Sequence, residues 1–167
     1  MGKFIVLTRN LSLLLNWVAG LSLVVMMGLT CADIIFRLFR RPILGTYEIV
    51  GFLGAVVVAF AMAQTTIDRG HVAVQVLVSK FSPSIQKSIY LITNLMSLFL
   101  FVLIAMECVV YGNDFRKSGE VSLTLRFPFY PVLYGIAFSS VVVCFILWVD
   151  FWRVIVGRAP AWYEWKE

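Results

Sequence analysis

Charge is scarce in this chain. Asp, Glu, Lys and Arg together make up 14% of its 167 residues, where a soluble domain carries roughly 25%. Too little polar sequence is present to clothe a water-facing surface, so most of the surface must face something else. Histidine is scarcer still: the single residue is His71. A bis-histidine haem site of the kind found in four-helix membrane cytochromes cannot be built from it. The three cysteines, Cys31, Cys108 and Cys144, are odd in number and lack metal-ligand spacing. That excludes a disulfide framework and leaves them as small apolar packing residues. Paired carboxylates within an apolar run, a serine nucleophile motif and a phosphate loop are also missing, so the sequence offers no catalytic, metal or cofactor residue. No basic run is interleaved with aromatics either. The formal net charge of +5 therefore speaks for membrane lipids and topology, and against nucleic acid as a partner.

What is present is hydrophobic and grouped. Uncharged runs cover residues 10–32, 49–67, 88–106 and 127–149. As helices they would be roughly 28–35 Å long, enough to cross a hydrocarbon core of about 30 Å. Barrel strands would read as segments of about 10 residues alternating apolar and polar; these runs are apolar on every face. In lipid each run must satisfy its own backbone hydrogen bonds, and a helix does so. The expected fold is an all-α membrane protein, one domain over residues 1–167, with spans at about 10–36, 47–67, 86–111 and 127–152. Lys3 and Arg9 precede the first run as in a signal peptide. Its uncharged stretch exceeds an h-region of about 7–15 residues, however, and no small-residue cleavage site follows, so a retained span is expected.

Four spans put both termini on one side. The larger share of the 14 Lys and Arg lies there, which favours cytoplasmic termini. In the first connection Arg40-Arg41-Pro42 and Gly45 mark a turn. Asp33 and Arg37 are four apart and can pair on one helix face. Thr46 is placed to cap the second helix, with Glu48 in its first turn where the dipole favours an anion. In the second connection Val72, Val74, Val76 and Val78 alternate as in a strand. Asp68, His71, Gln75 and Ser79 instead recur at helical spacing, and a short interfacial amphipathic helix over about 71–81 is the better reading. The third connection is polar. Aromatics gather at the ends of the last span: Phe127, Phe129 and Tyr130 at one, Trp148 and Trp152 at the other, where rings settle at a bilayer surface.

Few residues inside the spans are polar. Asn16, Gln64, Thr93 and Asn94 read as hydrogen-bonding groups between helices. Gly51 and Gly54, with Ala55 and Ala59, give the second helix a close-packing face, for its own neighbours or for a partner. Glu107 is the one acidic residue well inside an apolar stretch. Placed a turn from the end of its span, it is expected to snorkel or to meet a loop arginine.

The connections carry a further signal. Asp33-x-x-x-Arg37, Pro42-x-x-Gly45-Thr46-x-Glu48, Arg69-Gly70-His71-Val72-x-Val74 and Gly119-x-x-Ser122-x-x-Leu125-x-x-Pro128 follow one another against the four spans. In this order they resemble the small membrane subunit of tripartite ATP-independent periplasmic (TRAP) transporters, the DctQ-like family, over nearly the whole chain. Gln75 departs from the pattern, which often has an acidic residue there. The resemblance implies a non-catalytic subunit of a sodium-coupled symporter for carboxylates in the bacterial inner membrane. Its partners would be a large many-span membrane subunit, which carries the substrate and sodium sites, and a periplasmic substrate-binding protein. On that basis Arg37, Glu48, Gly51, Gly54 and Glu107 are candidates for the subunit interface. Arg40, Arg41, Arg116 and Lys117 are candidates for docking the binding protein, or for lipid headgroups. The alternative from another class is a membrane anchor or electron-transfer subunit of a redox complex.

Overall fold

Long apolar runs become long helices. The computed structural model describes residues 2–67 and 83–156, and these form α1 (Gly2–Leu38), α2 (Thr46–Ile67), α3 (Pro83–Ser118) and α4 (Tyr130–Ile155). All four are long and apolar enough to cross a membrane, giving the all-α architecture of a multi-pass membrane protein. The interfacial helix expected near 71–81, with its polar residues Asp68, His71, Gln75 and Ser79, lies outside the described residues. α1 has 37 residues and α3 has 36, so each is about 55 Å long and exceeds the hydrocarbon core. The extra turns hold charged residues, Arg9 in α1 and Asp114, Arg116 and Lys117 in α3. Charge ends an apolar run without ending a helix.

The helix ends are set by local chemistry. α1 stops in a Schellman arrangement: the Arg41 N–H donates to Phe36 O at 2.9 Å and the Arg40 N–H to Arg37 O at 3.0 Å. Arg40 takes the left-handed conformation that this cap requires, with φ 56°, and Pro42 prevents the helix from resuming. α2 begins at a different cap from the one expected. Gly45, with φ 80°, accepts the first helical bond from the Ile49 N–H at 3.1 Å. The Thr46 hydroxyl instead donates to Ile43 O at 3.0 Å. Thr46 is therefore the first helical residue, and it ties α2 back to the turn. A proline in the first turn of α4 starts that helix without losing a needed donor.

The helices pack in a row. α1 lies on α2, α2 on α4 and α4 on α3, with a lesser contact between α1 and α4. α1 and α3 are thus the edges, and α4 holds more buried residues than any other helix. The core joins Leu15 of α1, Ala63 and Ile67 of α2, and Val142, Val143, Ile146 and Leu147 of α4, with Leu98 and Phe101 of α3 against it. In lipid, apolar burial drives helix association weakly; close packing and interhelical hydrogen bonds do the holding. The Ser12 hydroxyl donates to Gln64 Oε1 at 2.9 Å, joining α1 to α2. Ser139 donates to the Ala59 carbonyl, joining α4 to α2. Asn94 Nδ2 donates to Leu147 O at 3.0 Å, joining α3 to α4. Gln64 and Asn94 do what their sequence positions suggested, whereas Asn16 and Thr93 face outward.

The packing predicts unequal costs for equal truncations. Ile146 is fully buried, while Leu21 is 66% exposed on α1. Ile146→Ala opens a cavity worth about 2–4 kcal/mol and should lower the melting temperature of the detergent-solubilised protein. Leu21→Ala should leave it nearly unchanged.

Candidate functional site

At the end of the row opposite the start of α1 and the end of α4, the two loops meet. The first loop is held by Asp33, which is 5% exposed. Its Oδ2 accepts from Arg37 Nε at 2.7 Å and its Oδ1 from the Ile43 N–H at 2.9 Å. One carboxylate thus pairs along α1 and fastens the returning chain. The Arg37 guanidinium in turn lies 5.4 Å from the centre of the Tyr47 ring, a cation–π contact across the same turn.

The second loop is held by Glu48. Its Oε2 accepts from the Ser122 hydroxyl at 2.6 Å and from the Leu125 N–H at 3.0 Å. Its Oε1 accepts from the Thr124 N–H at 2.8 Å. Successive backbone N–H groups turned inward make an anion-binding concavity, and here the anion is a side chain of α2. The loop is also tied to itself: Ser122 N–H donates to Phe127 O at 2.9 Å and Arg126 N–H to Ser122 O at 3.1 Å, with a bridge between Val121 and Pro128. Arg126 takes φ 53° to close the turn.

Gly45 is needed for the fit. A Cβ on it would lie 2.5 Å from Leu125 Cγ, so Leu125 occupies the space that the glycine leaves, and φ 80° independently favours glycine there. Beneath this contact Phe52 packs on Phe127 and Phe129, each with ring centres 5.3 Å apart, and Phe115 meets Phe129 at 5.8 Å. Tyr134 donates to Asn113 Oδ1 at 2.8 Å and packs against Gly112. The residues of three loop motifs therefore converge on one structure, a polar clamp above an aromatic plug. It contains no nucleophile–base pair, and among the described residues no His, Cys, Asp or Glu group could hold a metal. Its chemistry is mechanical: it joins the α1–α2 turn to the α3–α4 loop.

The other candidates fall around it. Arg40, Arg41, Arg116 and Lys117 are all exposed at this end. Arg126 is exposed there too and belongs with them, although nothing in its sequence neighbourhood marks it. Arg37 and Glu48 are engaged within the chain. Gly51 and Gly54 have open space where a Cβ would stand, so internal packing does not require their smallness. Gly54, with Ala55, Val58, Ala59 and Met62, instead lines a groove of about 380 Å³ closed by Phe101, Ile104, Ile136, Ser139, Ser140 and Val143. Glu107 is exposed on α3, and no ion pair or hydrogen bond among the described residues engages it. The expected loop arginine does not reach it. At the other end of the row, Asp150 is 5% exposed and accepts from the Tyr90 hydroxyl at 3.4 Å. Nothing in the sequence marks it as buried, because it directly follows the last apolar run.

One family agrees with this arrangement of spans and loops. The description Tripartite ATP-independent periplasmic transporters, DctQ component, matches residues 26–157. No curated protein and no solved structure matches the chain.

The clamp predicts a local effect. Glu48→Gln replaces an acceptor oxygen with a donor and leaves inward-facing N–H groups unsatisfied, at about 1–3 kcal/mol. Amide hydrogen exchange at Thr124 and Leu125 should accelerate about tenfold or more. Amides in the middle of α4 should be unaffected.

Proposed function

The chain belongs to the DctQ component family of tripartite ATP-independent periplasmic transporters, and from that premise we propose that it is a non-catalytic scaffold for a large, many-span transport subunit in the bacterial inner membrane. The observation that carries this reading is how the spans use their polar groups. Ser12 with Gln64, Ser139 with Ala59 O and Asn94 with Leu147 O are spent on stitching helices together, and the outward faces are chiefly apolar, with Asn16, Thr93 and Glu107 as exceptions. Substrate passage needs polar groups lining a path near the midplane, and the groove between α2, α3 and α4 is lined chiefly by apolar side chains. Substrate, a carboxylate on this reading, and coupling sodium then belong to the large subunit. The family assignment takes the place of the redox-anchor alternative.

Both termini lie in the cytoplasm, as the charge distribution favours, and the clamped loops face the periplasm. There the exposed Arg40, Arg41, Arg116 and Lys117 serve to dock the substrate-binding protein through an acidic patch. The open stretch at Gly51 and Gly54 serves the large subunit, since a helix without projecting side chains admits a close neighbour.

Two experiments test this. Purified from its host in mild detergent, the chain should co-elute in fixed ratio with a many-span membrane protein; elution alone, or with haem absorption, would contradict the scaffold role. In reconstituted uptake, neutralising Arg40, Arg41, Arg116 and Lys117 together should raise the binding-protein concentration for half-maximal rate about tenfold. Glycine serves at position 40, where the backbone favours it. An unchanged dependence would assign these cations to lipid headgroups.

A further inference from the structure

Glu107 stands where a carboxylate is costly to leave unpaired. It shares the outward stripe of α3 with Leu100, Leu103 and Val110, which are 54%, 42% and 53% exposed. Its depth follows from its neighbours along the helix. Ile104, one turn before it, lines the groove with Val58 and Ser140, well inside α2 and α4. Phe115, about two turns after it, meets Phe129 at the clamped end. Glu107 is therefore about 12 Å below that contact, and α3 runs on to Ser118. A glutamate is too short to bring its charge to the headgroups from there, unlike a snorkelling Lys or Arg. Ionisable groups at such depth pair with one another or face protein.

The partner can be narrowed by charge. In a second copy the stretches at this depth, between the level of Val58, Ile104 and Ser140 and that of Phe52, Phe115 and Phe129, hold no Lys or Arg, and Arg37 of α1 is already paired with Asp33. Only a different chain can offer a cation there. We propose that the outward face of α3 at Glu107 is a seam for a transmembrane helix of the large subunit, which sets an arginine or lysine against the carboxylate. This rests on the scaffold reading above and adds which edge of the row is covered and by what chemistry.

The test uses the co-expressed complex, with the large subunit recovered per small subunit as the readout. Glu107→Leu suits lipid better than the native residue does, so a lipid-facing site would tolerate or welcome it. The seam predicts instead about a tenfold loss of large subunit, with a smaller loss for Glu107→Gln, which keeps a hydrogen bond. Glu107→Lys should abolish recovery, and reversing the charge of the opposing cation in the large subunit should restore it. Wild-type recovery with Glu107→Leu would overturn the seam and leave the scaffold role intact. A native chain that captures no large subunit would overturn both.

Discussion

The joining of the two loops depends on one carboxylate seated in a turn of another segment. Glu48 belongs to the first turn of α2, and the groups that it binds, the Ser122 hydroxyl and the Thr124 and Leu125 N–H groups, lie 74 to 77 residues away. Without that acceptor the turn would present inward-facing donors to nothing. With it, the loop is pressed close enough for Leu125 to sit over Gly45 and for Phe127 and Phe129 to pack on Phe52. Asp33 plays the matching part for the first loop. Two carboxylates thus hold both loops by hydrogen bonds that water at the membrane surface would otherwise compete for.

This matters because the helices form an open row. A closed bundle would be braced from every side, whereas here α1 and α3 meet the rest mainly through α2 and α4. The apolar core and the Ser12–Gln64 and Asn94–Leu147 bonds brace the end where α1 starts and α4 stops. The clamp braces the other. Between them the groove and the bare helix face at Gly51 and Gly54 are left uncovered, as expected of a protein completed by a neighbour.

How much of this was legible in the sequence depended on range. Lipid imposes simple demands on a span, so four apolar runs sufficed for four helices. The Asp33–Arg37 pair was legible because a four-residue spacing is a local rule. Glu48 could be read only as a charge suited to a helix start, since no periodicity links it to Ser122; the loop motifs registered as a family likeness, without their shared geometry. Threonine's preference for capping points to Thr46, but the left-handed turn demands glycine one residue earlier. The charged residues beyond Tyr111 read as the start of a loop, whereas α3 continues as helix to Ser118.

On the proposed scaffold role the chain keeps its shape while its partner moves, and an open row is most exposed to distortion between its edges. Trp17 on α1 and Met96 on α3 are both largely exposed and can carry spin labels without disturbing the core. The electron–electron distance between them should be measured in the reconstituted complex, before and after adding sodium and substrate-loaded binding protein. A single distance that does not change is the predicted result. A second population appearing during transport would show that the row flexes with the moving subunit, and would contradict the scaffold.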